Sequence, residues 1–357
     1  VTRLPDYPWD ALAPYAATAR AHPGGIVDLS IGTPVDPTPD IVRQALAAAA
    51  DAPGYPLTAG SVVLREAISG WLDRRFGAVV AVGEPPAAGV LPVIGTKELV
   101  AWLPFLLGAR RVGFPALAYP TYDVGARLAD AAGVATDDPT GVDLLWVNSP
   151  ANPTGAVHSV ERLRETVRAC RAQGTVIASD ECYADLYFSG APPVSVLSPE
   201  VCDGDHTGLL AVHSMSKRSN LAGYRAGFVA GDPALVTRLL ELRKHAGMIM
   251  PAPVQAAMVA ALGDDSHVEA QRARYAGRRT ALFGALRGAG FEGEDTGAGL
   301  YLWVERDEDC WQTVRWLADR GILVAPGAFY GDAGVRHVRV AVTATDERVA
   351  AAVDRLG

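Results

Sequence analysis

Between Val90 and Ala230 the chain alternates short apolar runs with helical patterns, and this alternation restricts the fold more than any other feature. The apolar runs predict strands at 90–94, 111–114, 144–147, 175–179, 209–212 and 226–230. Parallel neighbours need long crossover connections, usually helices, and helices on both faces leave strands that are apolar throughout. One such helix is legible from end to end. Ser159 caps it, Val160, Leu163, Val167 and Cys170 form its apolar stripe, and Gly174 stops it. The implied fold class is α/β, a large domain with a mainly parallel sheet covered by helices plus a smaller α+β domain. In open sheets of this kind ligands gather outside the carboxyl ends of the strands. Gly95-Thr96-Lys97, Tyr119, the turn 148–155, Asp180 and Lys217 all fall at or just beyond such ends.

The flanks read differently. Residues 1–21 mix prolines, aromatics and a short helical pattern, as an arm lying on another surface would. A short strand at 26–31 runs into Gly32-Thr33-Pro34, either a plain turn or one where backbone approaches a ligand. Helices follow at 41–50 and 63–76, joined by the loop 54–60. After Gly231, helices at 233–244, 254–262 and 268–287 lead to strands at 300–304, 322–325 and 337–342 with helices between them. The predicted division is an N-terminal arm with part of the small domain in 1–33, a large domain in 34–272 and a small C-terminal domain in 273–357. The run from Gly288 to Gly293 fits the dinucleotide pattern G-x-G-x-x-G, but it follows a helix instead of opening one and reads as a helix stop.

A net charge of −8 over 357 residues argues against nucleic acid or an anionic membrane as partner, since either selects a basic face. Small anionic substrates stay open, because a pocket need not share the global sign. Cys170, Cys182, Cys202 and Cys310 show no C-x-x-C pair and no zinc spacing, so reduced thiols and no metal site are expected. Without a signal-peptide core or an apolar run of bilayer length, the expected location is the cytoplasm.

The segment from His213 to Phe228 carries the most chemistry. A polar turn after a buried strand holds Ser214, Ser216 and Lys217, with Arg225 eight positions on. A lysine beside a cationic partner can have a lowered pKa, and a neutral amine attacks carbonyls. The serines and the arginine are phosphate donors, so the segment suits an aldehyde-phosphate cofactor held at two ends. Taken alone, a solvated surface lysine is the commoner explanation. The turn from Asn148 to Gly155 presents two asparagine amides, and an amide at fixed height above a sheet suits the phenolic oxygen of a pyridoxal ring. Asp180 emerges from a buried strand and needs a cation, either a pyridinium nitrogen or a structural partner. Tyr183 lies on the next turn, within range of the same phenolic oxygen as Asn152. Thr96 and Lys97 open a helix whose N-terminal amides form an anion site, and Tyr119 offers an aromatic face. Arg339 can fork onto a substrate carboxylate or stand exposed on an edge strand.

In their order, N-x-x-x-N-P-T-G, D-E-x-Y and S-x-S-K with an arginine eight residues on, these segments resemble the fold-type I, class I/II aminotransferases that use pyridoxal 5′-phosphate. The resemblance covers nearly the whole chain. It implies that Lys217 is the Schiff-base lysine, Asp180 pairs with the pyridine nitrogen, and Asn152 and Tyr183 hold the phenolic oxygen. It further implies a phosphate held by Ser214, Ser216, Arg225 and the Thr96 and Lys97 amides, with Tyr119 stacked on the ring. Gly32 and Arg339, with Asn152 beside them, would receive the substrate α-carboxylate. Tyr55 is similar to the tyrosine that reaches the neighbouring subunit's phosphate, which implies a homodimer with shared sites. More narrowly, the segments 92–98, 201–206 and 243–248 look like those of actinobacterial-type N-succinyl-diaminopimelate aminotransferases of lysine biosynthesis, with glutamate and 2-oxoglutarate as the donor pair. Rival readings are an aminotransferase of other specificity, a carbon–sulfur lyase using the same cofactor, and a non-catalytic binding protein or regulator.

Overall fold

The computed structural model describes residues 4–83 and 87–357; the first three residues of the predicted arm lie outside the described residues. In chain order the strands are β1 (Val27–Asp28), β2 (Val90–Val93), β3 (Arg111–Phe114), β4 (Ala132–Ala135), β5 (Leu144–Asn148), β6 (Val176–Asp180), β7 (Leu209–Ser214), β8 (Gly227–Gly231), β9 (Tyr301–Glu305), β10 (Ile322–Leu323), β11 (Ala325–Pro326) and β12 (His337–Ala341). Seven of them form one sheet in the order β2-β8-β7-β6-β5-β3-β4. Only β8 runs against its neighbours β7 and β2; the other pairings are parallel. The reversal follows from the connection between β7 and β8, which holds a single turn, Met215–Arg218, and a 3-10 segment, Ala222–Tyr224, and is too short for a crossover that would keep the direction.

The sheet is covered on both sides. Leu145, Val147, Ile177 and Ala211 pack into a core with Ile68, Leu72, Leu163, Val167 and Ala257, while the alternate residues Leu144, Trp146, Ala178 and Val212 pack with Leu99, Leu103 and Leu239. Period-two alternation thus sends side chains into two apolar layers, and each fully buried large side chain contributes about 1.5–3 kcal/mol. The edge strand β4 was not foreseen. Its residues Ala-Gly-Val-Ala are small and mostly exposed, so no apolar run marks it.

A three-stranded antiparallel sheet, β11-β12-β9, and the parallel pair β1-β10 form the second body. The strand predicted at 322–325 is divided, because the chain turns at Val324 from pairing with β1 to pairing with β12. The strand predicted at 26–31 shortens to β1. The surface under the N-terminal arm belongs to the same chain: Leu12, Ala16 and Ala19 are buried in a cluster with Val314, Leu317 and Val340. Asp36, on the linker after Gly32, accepts two bonds of 2.7 Å from Arg278 and one of 2.8 Å from Gln271, which clamps the linker to the helix Ser266–Gly288. Gly288 is the last residue of that helix, in keeping with the helix stop expected at 288–293. Among the described residues no helix is long and apolar enough to cross a membrane.

Candidate active site

Strand register delivers the chemistry to one edge. Asn148, the last residue of β5, lies beside Asp180, the last of β6, and Asp180 lies beside Val212, two residues before Ser214 ends β7. Beyond these ends is a cavity of about 250 Å³, lined by Gly32, Thr96, Lys97, Tyr119, Asn152, Asp180, Tyr183, Ser214, Ser216, Lys217, Arg225 and Arg339 among others. Tyr55 is the exception among the predicted residues: it does not line the cavity, and its side chain is 100% exposed.

Asp180 forms the inner wall at 6% exposure. Its Oδ2 accepts from Tyr122 Oη at 2.8 Å and its Oδ1 from the Cys182 amide at 3.2 Å. Burial pushes the carboxyl above its ordinary range, against the opposing bonds from Cys182 and Tyr122. No salt bridge joins it to a cation among the described residues. Tyr122 is itself wholly buried, stacked on Trp146 with centroids 4.8 Å apart, and was missed in the sequence because Tyr119 of the same Tyr-Pro-Thr-Tyr run took the functional reading. Tyr119 stands on the cavity wall, edge-on to Tyr122, and burial pushes its phenol up to about 12.

The asparagine turn behaves differently from expectation. Asn148 is consumed internally: its Nδ2 donates to the Asp180 carbonyl at 2.8 Å and the Pro150 carbonyl at 3.2 Å, and its Oδ1 accepts from the Asn152 amide at 2.7 Å. It ties the turn to the end of β6 and leaves only Asn152 on the cavity wall.

At the other end Gly95 has φ +88° and opens the helix Thr96–Leu107. A Cβ there would collide with the Arg225 guanidinium, so this glycine is what lets the arginine lie against the helix start. The first amides of that helix have no acceptor within it and suit an anion. Its first turn is anchored by Glu98, which buried Arg243 grips at 2.8 and 3.0 Å. Ser214 Oγ accepts from the Ser216 amide at 3.1 Å, setting both serines beside this cup. Lys217 lines the same cavity as the cup and Asp180. Burial pushes its ammonium below the ordinary lysine range, Arg225 and Arg339 push the same way, and Tyr301 and Cys182 oppose them. A lowered amine pKa favours the neutral, nucleophilic form.

The side toward the small sheet is built around Arg339, on β12 and 2% exposed. Its Nη1 donates to Asn152 Oδ1 at 2.9 Å and its Nη2 to the Ser30 carbonyl at 2.7 Å, while Nε has no hydrogen-bond partner. The guanidinium lies 3.8 Å from the Tyr301 ring centroid and 4.9 Å from that of Tyr330. Among the described residues no carboxylate pairs with it; a buried cation so placed is costly, and a substrate anion would relieve it. Gly32 is close to Tyr301, whose hydroxyl occupies the space a Cβ would need, so the approach that this glycine permits is by a side chain of the same protein. Tyr183 Oη is 3.3 Å from Tyr301 Oη, and burial pushes the Tyr183 phenol up. Tyr7, Trp9 and Tyr301 also line the cavity and were not singled out in the sequence, since no motif surrounds them; Cys182, inside the D-E-x-Y run, lines it too.

An amine, an anion cup at a helix start, a buried carboxylate lacking a cation and two donors at the level of the sheet suit an aldehyde-bearing pyridine phosphate. Among the described residues no group of three His, Cys, Asp or Glu side chains could hold a metal ion.

Comparison with known proteins agrees with this chemistry. Residues 25–356 match the family model "Aminotransferase class I and II". The chain is 59% identical over 361 residues to a 4-dedimethylamino-4-oxo-anhydrotetracycline transaminase of Streptomyces rimosus, covering 99% of each. It is 60% identical to a probable aminotransferase of Mycobacterium tuberculosis, covering 99% of this chain and 85% of the relative. Among solved structures, a probable N-succinyldiaminopimelate aminotransferase from Thermus thermophilus superposes with a TM-score of 0.88 at 27% identity, covering 98% of this chain and 99% of the other.

Proposed function

Because the chain belongs to the class I and II aminotransferases, a family and fold that depend on pyridoxal 5′-phosphate, we propose that its cavity exchanges an amino group between an amino acid and a keto acid, with glutamate and 2-oxoglutarate as one pair. The observation that carries this reading is Asp180, a buried carboxyl group with no cationic partner among the described residues, in one cavity with the buried amine of Lys217. When bound, the cofactor supplies an aldehyde for the amino group and a ring that accepts electrons from the substrate α-carbon. Asp180 holds a proton on the pyridine nitrogen. Asn152 and Tyr183 would donate to the phenolic oxygen, and Tyr119 would offer its aromatic face to the ring. Ser214, Ser216, Arg225 and the Thr96 and Lys97 amides hold the phosphate. Arg339 and the Gly32 backbone receive the α-carboxylate, with Asn152 fixing the guanidinium. With the cofactor bound, Lys217 Nζ would serve as the base that takes up and gives back the proton of the substrate α-carbon.

For the substrate we favour N-succinyl-LL-2,6-diaminopimelate with 2-oxoglutarate, as in lysine biosynthesis. The segments 92–98, 201–206 and 243–248 support it, as does the name of the Thermus neighbour. A second reading is a polycyclic ketone, favoured by the 59% identity to the anhydrotetracycline transaminase. The uncompensated guanidinium of Arg339 weighs toward the α-amino acid. The division at 34 and 273 is part of this proposal, and so is a homodimer: Tyr55, Leu57 and Val63 form an exposed stretch at 100%, 69% and 60% that a second copy would cover, bringing Tyr55 to the partner's phosphate.

A panel of amino donors and keto acceptors, with succinylated and free diaminopimelate and a 4-oxo-anhydrotetracycline included, tests the choice. The expected result is the highest kcat/KM for the succinylated compound. Amination of the polycyclic ketone with no turnover of α-amino acids other than the donor would select the second reading. Pyruvate and ammonia released from a cysteine conjugate, without amino transfer, would mark a lyase.

A further inference from the structure

Tyr301 lines the cavity with no role assigned above. It opens β9, and its carbonyl accepts from buried Arg279 at 3.0 Å; Arg279 is held in turn by Asp295 at 2.9 Å, so the backbone of Tyr301 is fixed from the long helix. Its ring carries the Arg339 guanidinium at 3.8 Å, and its hydroxyl meets Tyr183 Oη at 3.3 Å. The absence of a side chain at Gly32 is what makes room for that hydroxyl.

We propose that Tyr301 is a positioning residue with two separable parts: a ring that holds Arg339 flat for a substrate carboxylate, and a hydroxyl that donates to Tyr183 and turns the only proton of Tyr183 toward the cofactor's phenolic oxygen. This rests on the cofactor reading of Tyr183 given above. A phenol has one proton to give. If Tyr183 gave it to Tyr301, none would be left for the cavity, so the arrangement in which Tyr183 serves the cofactor requires Tyr301 to be the donor. Donation into Tyr183 polarises it and strengthens its own bond by about 10–30%. The deprotonated phenolic oxygen is the form that gains. Other groups facing Tyr301 are Lys217 after β7, Tyr119 beyond β3, Arg339 and Tyr330 from the small body, and Tyr275 from the long helix. All of them are retained when only the Tyr301 hydroxyl is removed.

The test compares native holoenzyme with Tyr301→Phe and Tyr301→Leu by two measurements besides activity, the pH titration of the bound cofactor's absorption and the dissociation constant of an unreactive dicarboxylate. In Tyr301→Phe the spectral midpoint should rise by about half a pH unit, a fraction of one hydrogen bond, with dicarboxylate binding within about twofold of native. In Tyr301→Leu the same rise should come with dicarboxylate binding weakened about 10–30-fold, the effect of a desolvated cation–π contact, and an amine lacking a carboxylate should bind as it does to the native protein. An unmoved midpoint in Tyr301→Phe would overturn the role of the hydroxyl. Equal dicarboxylate losses in Phe and Leu variants, or none in Leu, would overturn the role of the ring. A native protein that takes up no pyridoxal phosphate would overturn the proposed function and this inference with it, whereas normal uptake with two silent variants overturns this inference alone.

Discussion

Replacing Asp180 with asparagine should stabilise the protein without cofactor and cripple it with cofactor. The amide is nearly isosteric: its Oδ1 can still accept from the Cys182 amide, and its Nδ2, standing where Oδ2 accepted from Tyr122 at 2.8 Å, can donate to a Tyr122 hydroxyl turned to accept. What disappears is a charge. Burial raises the carboxyl's pKa in the folded protein, so as pH rises the unfolded chain loses this proton first and the folded state is progressively disfavoured. Asp180 therefore lowers stability increasingly as pH climbs from the unfolded value near 3.8 through the raised folded one, with the full effect above it. Melting of cofactor-free native and Asp180→Asn proteins should diverge over that interval, the variant being the more stable at the upper end. Added pyridoxal phosphate should close or reverse the gap, because a pyridinium nitrogen gives the native carboxylate its missing cation. Loss of that charge-assisted bond is worth about 1.5–3 kcal/mol, or about 10–150-fold in cofactor affinity, and loss of electrostatic stabilisation about 100-fold or more in kcat. The pairing would be refuted by a variant that melts below native by a constant amount at every pH, or by one that retains near-native kcat and cofactor affinity; Asp180 would then be a structural hydrogen-bond acceptor.

Further outcomes follow from the same geometry. Lys217→Ala should fold and bind the cofactor without a covalent bond, so borohydride reduction that still fixed cofactor to it would reassign the lysine. Arg339→Gln should raise KM for α-carboxylate substrates about 10-fold or more, reflecting a lost charged hydrogen bond, while the bound cofactor's phosphate affinity stays native; an unchanged KM would show that the carboxylate binds elsewhere. Gly95→Ala should weaken cofactor retention, since its φ of +88° disfavours alanine and its Cβ would displace Arg225; native retention would separate Arg225 from the phosphate. A mixed dimer of a disabled Tyr55 variant with Lys217→Ala should regain activity, and verified subunit exchange without any recovery would remove Tyr55 from a shared site.

The large sheet was legible because its strands are buried on both faces, and such strands are continuous apolar runs that need no partner to be recognised. The exposed edge β4 and the break at Val324 lacked that signal: the first is made of small residues, and the second depends on which strand each dipeptide meets. The site divides along the same line. Lys217, Asp180, Asn152 and Arg225 lie in turns attached to legible strands, so sequence spacing and topology together bring them to one edge. Tyr122 reaches Asp180, and Tyr301 the cavity, through tertiary packing, one stacked on Trp146 and the other held by Arg279 and lying against Arg339. Asn148 shows the converse. In the sequence it is as eligible as Asn152, and only the pairing of β5 with β6 reveals that all three of its hydrogen bonds close the turn. What the local pattern identifies is a set of groups able to touch a ligand; which of them are free to do so is decided by whether the fold has already used their hydrogen-bonding capacity.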